Sequence, residues 1–253
     1  MKTFNRESPP ASQELVDASR AETTESAWKS LYLVGGVAAL LVVVLYVSQI
    51  IVFVASPPPS SVVGYFTLFH KNALLGLLDL DLLSIVDYAL FVPLFLALYM
   101  ALRRVSPSFM VIATSLAFVG IAIYFASNTA FEMLSLSNQY AAATTDAQRS
   151  LFVASGQAML ATYQGTAFDV SYVLLAIAPL IISVVMLQSI TFGKVTASVG
   201  IGANVLAAGL FVPAIGVFLS LISVVGLLIW YVLIARKLFL LARRVSNEVA
   251  HRL

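Results

Sequence analysis

LLSIVDYALFVPLFLALYMALRR, residues Leu82 to Arg104, is the stretch that decides the fold. A hydrocarbon core about 30 Å thick needs about 20 apolar residues at a rise of about 1.5 Å each. Leu82 to Leu102 supplies that run, and Arg103 and Arg104 end it. Two arginines are costly in hydrocarbon, so they mark an interface, read here as the cytoplasmic one. Asp87 lies sixteen positions before Arg103, roughly 24 Å along a helix, which puts it in the outer third of a membrane. A charged aspartate at the bilayer centre costs about 2.5–3.5 kcal/mol on insertion scales. Asp87 is therefore expected to face the bundle, a water-filled cavity or the headgroups. Two roles fit it equally: a structural polar group bonded to a neighbouring helix, or a group that binds a ligand or ion. The expected partners at matching depth are Tyr124, Asn128, Asp169, Tyr172 and His70. Pro93 frees the carbonyl near Ala89 and predicts a kink.

The same grammar recurs along all 253 residues. The chain is 60% hydrophobic and 10% charged, against about 25% charged in a soluble domain, and its mean hydropathy is +0.97. Five further spans are expected, over residues 31–54, 109–129, 167–188, 195–212 and 214–235. The predicted class is thus all-α: a polytopic transmembrane bundle of six spans. Residues 62–78 are apolar but carry His70, Lys71 and Asn72, so they predict an outer interfacial helix that does not cross. Ser56-Pro57-Pro58-Pro59-Ser60 predicts a stiff turn before it. Residues 131–165 read as a long loop, with one helix over 147–163 capped near Thr145 or Asp146. Residues 1–30 read as a polar cytoplasmic tail, disordered or lying on the surface, with an amphiphilic helix of thin apolar stripe over roughly residues 11–27 as the alternative, and not as a signal peptide. Residues 31–235 form the bundle, and residues 236–253 a basic cytoplasmic tail suited to anionic lipid.

Small residues and aromatics refine this reading. Gly35, Gly36, Ala38 and Ala39 predict a close-packing face on the first span. The fifth span carries the small-xxx-small pairs Ser198/Gly202 and Ala203/Ala207, and its Asn204 is expected to bond across helices. The tyrosines, Trp28 and Trp230 near span ends read as interface anchors. Of the 14 Lys and Arg residues, only Lys71 and Arg149 fall outside when both termini are cytoplasmic. This asymmetry predicts that orientation in a cell membrane.

With that topology, Asp87, Glu132, Asp169, Asn128, His70, Tyr124 and Tyr172 share the outer half, near Asp79 and Asp81, and form the candidate ligand-binding set. Carboxylates from three spans, with His70, have the chemistry to hold a cation or share protons. The metal is left open, and no cofactor is predicted. The absence of cysteine excludes disulfides, thiolate zinc sites and cysteine nucleophiles. Two histidines exclude a multi-histidine haem or metal site. HExxH, GxSxG and a phosphate-binding glycine loop before a helix do not occur. A net charge of +2 does not point to nucleic acid. The expected partners are the lipid bilayer and a small molecule or ion.

The run AIYFASNTAFEMLSLSNQYAAATTDAQRSLFVASGQAMLATYQGTAFDVSYVL, Ala122 to Leu174, and the run Phe192 to Arg244 with its FGKVTASVGIGANVLAAGLFVPAIGVFLS core resemble a family of prokaryotic multi-pass membrane proteins known as domain of unknown function 4386. The resemblance covers most of the chain after residue 30. It implies a helical membrane domain in the envelope of a bacterium or archaeon. It brings no substrate, cofactor or catalytic residue. Three functions follow from the residues: a non-enzymatic protein binding a small ligand, lipid or ion on the outer side; a small transporter or channel; or an intramembrane enzyme using the outer carboxylates. The apolar run Leu94 to Leu102 weighs against conduction, and the lack of a nucleophile or metal signature weighs against catalysis.

Overall fold

A computed structural model describes the backbone over residues 11–250 and side chains over residues 28–244. Residues 1–10 and 251–253, the extremes of the two predicted tails, lie outside the described residues. Every regular element among the described residues is helical, and six stretches are long and apolar enough to cross a membrane. This is the architecture of a multi-pass membrane protein.

The first spanning helix, α1, runs Ala11–Ala55 without a break. The polar segment read as a separate tail is thus continuous with the span over residues 11–30. The proline turn ends α1, and Ser61 starts α2 (Val62–Lys71) by accepting a hydrogen bond from the Gly64 amide at 3.1 Å. The expected single interfacial helix is two. Asn72 breaks it in an extended conformation, and its Oδ1 caps α3 (Ala73–Asp79). Neither piece is long enough to span. The remaining elements are α4 (Leu82–Leu102), α5 (Pro107–Ser127), α6 (Ala130–Ala142), α7 (Asp146–Tyr163), α8 (Thr166–Met186), α9 (Gly193–Ala208) and α10 (Gly216–Ala250). Residues 130–142 are helical rather than loop: Ala130, Met133 and Ser137 make a buried stripe at helical spacing. Thr145 caps α7 as its sequence predicts. The helix of the sixth span continues past residue 235: α10 carries the basic segment onward to Ala250.

Each spanning helix packs against its sequence neighbours, and the last meets the first. Around the ring the order is α1, α4, α5, α8, α9, α10 and back to α1. Hydrophobic burial gives no drive between helices inside lipid, so close packing must hold this ring together. Gly35 and Gly36 show how. A Cβ on Gly35 would strike Ala97 of α4 and approach the Pro93 carbonyl to 3.3 Å, and one on Gly36 would meet the Phe239 ring of α10 at 2.8 Å. The expected small face of α1 is therefore the wedge between α4 and α10. Outward-facing Val44, Ile51, Phe109, Val119, Phe218 and Leu221 are exposed, as a lipid-contacting belt requires.

The two long connections, α2–α3 and α6–α7, emerge at the same end of the ring and pack into a cap with a core of its own. Val62, Tyr65, Phe66, Phe69, Leu80, Ala130 and Met133 are buried there. The Ser137 hydroxyl donates to the Phe66 carbonyl at 3.0 Å, pinning α6 to α2. The short turns at the other end carry Arg103, Arg104 and Lys194. There the Arg103 guanidinium lies 5.7 Å over the Trp28 ring, which suits an interface anchor.

Candidate functional site

The joint between cap and bundle is the elbow 78–82. Asp81 turns the chain from α3 into α4 with φ 64°, a left-handed conformation uncommon for a non-glycine residue. Three elements hold the bend. Gln49 of α1 donates to the Leu78 carbonyl at 3.0 Å, Asn128 donates to the Leu80 carbonyl at 3.0 Å, and the Tyr163 hydroxyl of α7 donates to the Asp81 carboxylate. Asn128 also accepts from the Ala130 amide at 3.1 Å, so both ends of its side chain serve the α5–α6 break. It is a clamp of the fold, not a free ligand donor.

Asp79, the last residue of α3, is buried, and neither of its carboxylate oxygens takes a hydrogen bond among the described residues. Desolvation first, then the neighbouring Asp81, raise its pKa from 3.8 to about 6. Burial also raises Asp81 to about 6, against the opposing pull of hydrogen bonds from Tyr163 and Ser84. Burial and the two carboxyls together push Tyr65 up to about 12.

Beneath the joint, inside the ring, lies a partly enclosed cavity of about 120 Å³. Five spans contribute to it: Tyr46 from α1, Tyr88 and Phe91 from α4, Tyr172 from α8, Asn204 and Ala207 from α9, and Ser220, Ser223 and Tyr231 from α10. Its wall is an aromatic lattice. Phe91 and Tyr231 stack at 5.9 Å, Tyr46 and Tyr231 meet at 6.4 Å, Tyr88 and Phe91 at 5.4 Å, and Tyr88 stacks on Tyr124 at 3.7 Å. At one edge the Tyr172 hydroxyl donates to the Ala207 carbonyl at 3.1 Å and lies 3.4 Å from the Ser220 hydroxyl. Asp87 adjoins this wall. It precedes Tyr88 and lies one helical turn before Phe91 on α4, next to the cavity lining and not part of it; it is 3% exposed, and its Oδ1 takes no hydrogen bond among the described residues. The side-chain partner expected for that oxygen is absent.

The residues selected from sequence separate into two groups. Asp87, Tyr124 and Tyr172 come together at or beside the cavity, and Asn128 lies at the joint above it. Glu132, Asp169 and His70 are exposed on α6, α8 and α2. Asp169 flanks an outward furrow with Val170, Val173, Leu174 and Phe211. Among the described residues no group of three or more His, Asp or Glu side chains is placed to hold a metal ion. The three-carboxylate convergence with His70 therefore does not form.

Other assignments change as well. Trp230 is not an interface anchor but fully buried in the bundle, packed on Tyr231 at 5.3 Å. Asn204 bonds to the Gly200 carbonyl of its own helix at 2.7 Å, not across helices. Sequence reasoning passed over Tyr46, Phe91, Ser220, Ser223 and Tyr231. Ser220 and Ser223 at i, i+3 do share a helix face, which is a signal for a polar edge. Nothing in the order of residues brings that face opposite Tyr172. No family model matches the chain, and no curated protein or solved structure matches it either.

Proposed function

We propose that this protein is a non-enzymatic, multi-pass protein of the cell envelope that binds a small ligand in the cavity inside its ring of spans, with the cap facing outward. The cavity carries the reading. It is bounded by five different helices, combines aromatic surface with a few hydroxyl and amide groups at one edge, and so has the composition of a small-molecule site. An engineered cavity of about 150 Å³ accepts benzene, so this one suits a ligand of about six heavy atoms. Toward the basic end the interior closes with Leu94, Phe95, Leu98 and Leu102, each at most 1% exposed. That apolar floor favours binding over conduction. Exposed Glu132 and Asp169 supply no paired carboxylates for an intramembrane enzyme.

Orientation rests on charge. Among the described residues, Lys71 and Arg149 are the Lys and Arg of the cap end, and the other basic residues gather at the opposite end, the pattern of a cytoplasmic face. Reporter fusions after Arg104 and Lys194 should read cytoplasmic, and a fusion at Ala143 external. A cytoplasmic reading at Ala143 would overturn the orientation.

Ligand binding is tested by thermal shift on the purified full chain with phenol, choline and 3,3-dimethylbutan-1-ol, which have about seven heavy atoms each and so suit the cavity by the same comparison. At least one should raise the melting temperature, because a ligand bound only to the folded state stabilises it. Ala207→Leu, which fills part of the cavity, should abolish that shift. No shift with any of the three overturns the reading.

A further inference from the structure

The wall of the cavity and the carboxylate beside it make a specific demand on the ligand. Buried Asp87 lies one helical turn before the cavity-lining Phe91 on α4, beside the cavity and not in its lining, and its Oδ1 has no hydrogen-bond partner among the described residues. Within the bundle no countercharge reaches it: the described Lys, Arg and His residues lie at the span ends or in the cap. An ionised carboxylate at this depth is costly unless a positive charge comes to it. The Phe91, Tyr231 and Tyr46 rings line the cavity and meet one another at 5.9 and 6.4 Å; a cation is attracted to the negative face of an aromatic quadrupole. A neutral apolar ligand would pack as well against leucine and would gain nothing from Asp87. A small metal ion is held by several ligands at about 2.0–2.6 Å, carboxylates foremost, and no group of three or more His, Asp or Glu side chains is placed to hold one among the described residues.

From this we infer that the ligand is a small organic cation of the quaternary or tertiary ammonium class, held over the Phe91, Tyr231 and Tyr46 rings with Asp87 as its counter-ion. The inference rests on the cavity reading above and names its ligand class. The rings take the alkylated ammonium head. The Ser220 and Ser223 hydroxyls, at the Tyr172 edge, suit a short polar arm on the ligand.

The test compares choline with its neutral carbon isostere 3,3-dimethylbutan-1-ol, by isothermal titration on the full chain in lipid nanodiscs. Choline should bind at least about tenfold tighter than the isostere. Asp87→Asn should bring the two to similar affinity by weakening choline alone. Phe91→Leu should weaken choline severalfold and leave the isostere unchanged. Equal or tighter binding of the isostere, or binding of phenol with none of choline, overturns the cation assignment and leaves the cavity reading standing. Failure of all three probes overturns both. If Asp87→Asn does not fold, the comparison on the unsubstituted protein decides alone.

Discussion

Replacing Gly200 with valine is expected to unfold the junction of α8, α9 and α10. A Cβ at residue 200 would collide with the Ser183 hydroxyl and the Trp230 indole nitrogen, and would sit 2.8 Å from Trp230 Cδ1. Ser183 can rotate away, but Trp230 cannot. It is fully buried and packed on Tyr231, so α9 must move off α10. Overpacking of this kind costs about 1–3 kcal/mol, and valine adds two methyl groups to the clash. A loss of about 3 kcal/mol lowers the melting temperature by about 6–12 °C for a chain of this size. Gly202→Val is the matched control: same helix, same change in helix propensity, and nothing within 4 Å of the added Cβ. Its melting temperature should stay within about 2 °C of the parent, the shift that ~0.5 kcal/mol gives. Equal losses in the two variants would overturn the junction as the cause, since helix propensity by itself favours valine over glycine.

The second large effect is an unusual dependence on pH. Asp79 and Asp81 are each raised from 3.8 to about 6 by burial at the elbow. Both carboxyls thus hold their protons more tightly in the folded protein than in the unfolded chain. Their contribution is complete below about pH 4 and is lost as pH rises through about 6. Each tenfold gain in proton affinity on folding is worth about 1.4 kcal/mol, so Asp79 accounts for at most about 3 kcal/mol, reduced by whatever solvent screens. Asp81 accounts for less, since solvent reaches it in part. The protein should therefore melt higher at pH 5 than at pH 8. Asp79→Asn removes the titrating group while keeping its shape. It should raise the melting temperature at pH 8 by several degrees and change it little at pH 5. A melting temperature that climbs from pH 5 to pH 8 would show that the two carboxyls ionise at the joint without cost.

Much of this architecture is written in the order of residues. Apolar runs of about 20 residues can satisfy their backbone in lipid only as helices, so six spans follow from composition and length. The proline turn after α1, the Thr145 cap and the glycine wedge of α1 follow from local chemistry too. The cap was half legible: α6 was missed because its buried stripe is short and flanked by polar residues.

What the chain order did not determine is which face of each helix turns inward. The fifth span carries small residues nearly all round. Ser198 and Gly202 satisfy the small-xxx-small pattern yet are exposed, whereas Ala197, Gly200, Ala203 and Ala207 are buried. Spacing specifies a stripe, and only the neighbours select one stripe among several. The same holds for the candidate site. Sequence placed Asp87, Glu132 and Asp169 at similar depth. Depth is set by position along a helix, but convergence depends on helix rotation and on the order of helices around the ring. The ring turned Asp87 inward, on α4 beside the cavity-lining Tyr88 and Phe91, and left Glu132 and Asp169 outside. The cavity exists only because α1 and α10, at opposite ends of the chain, close that ring.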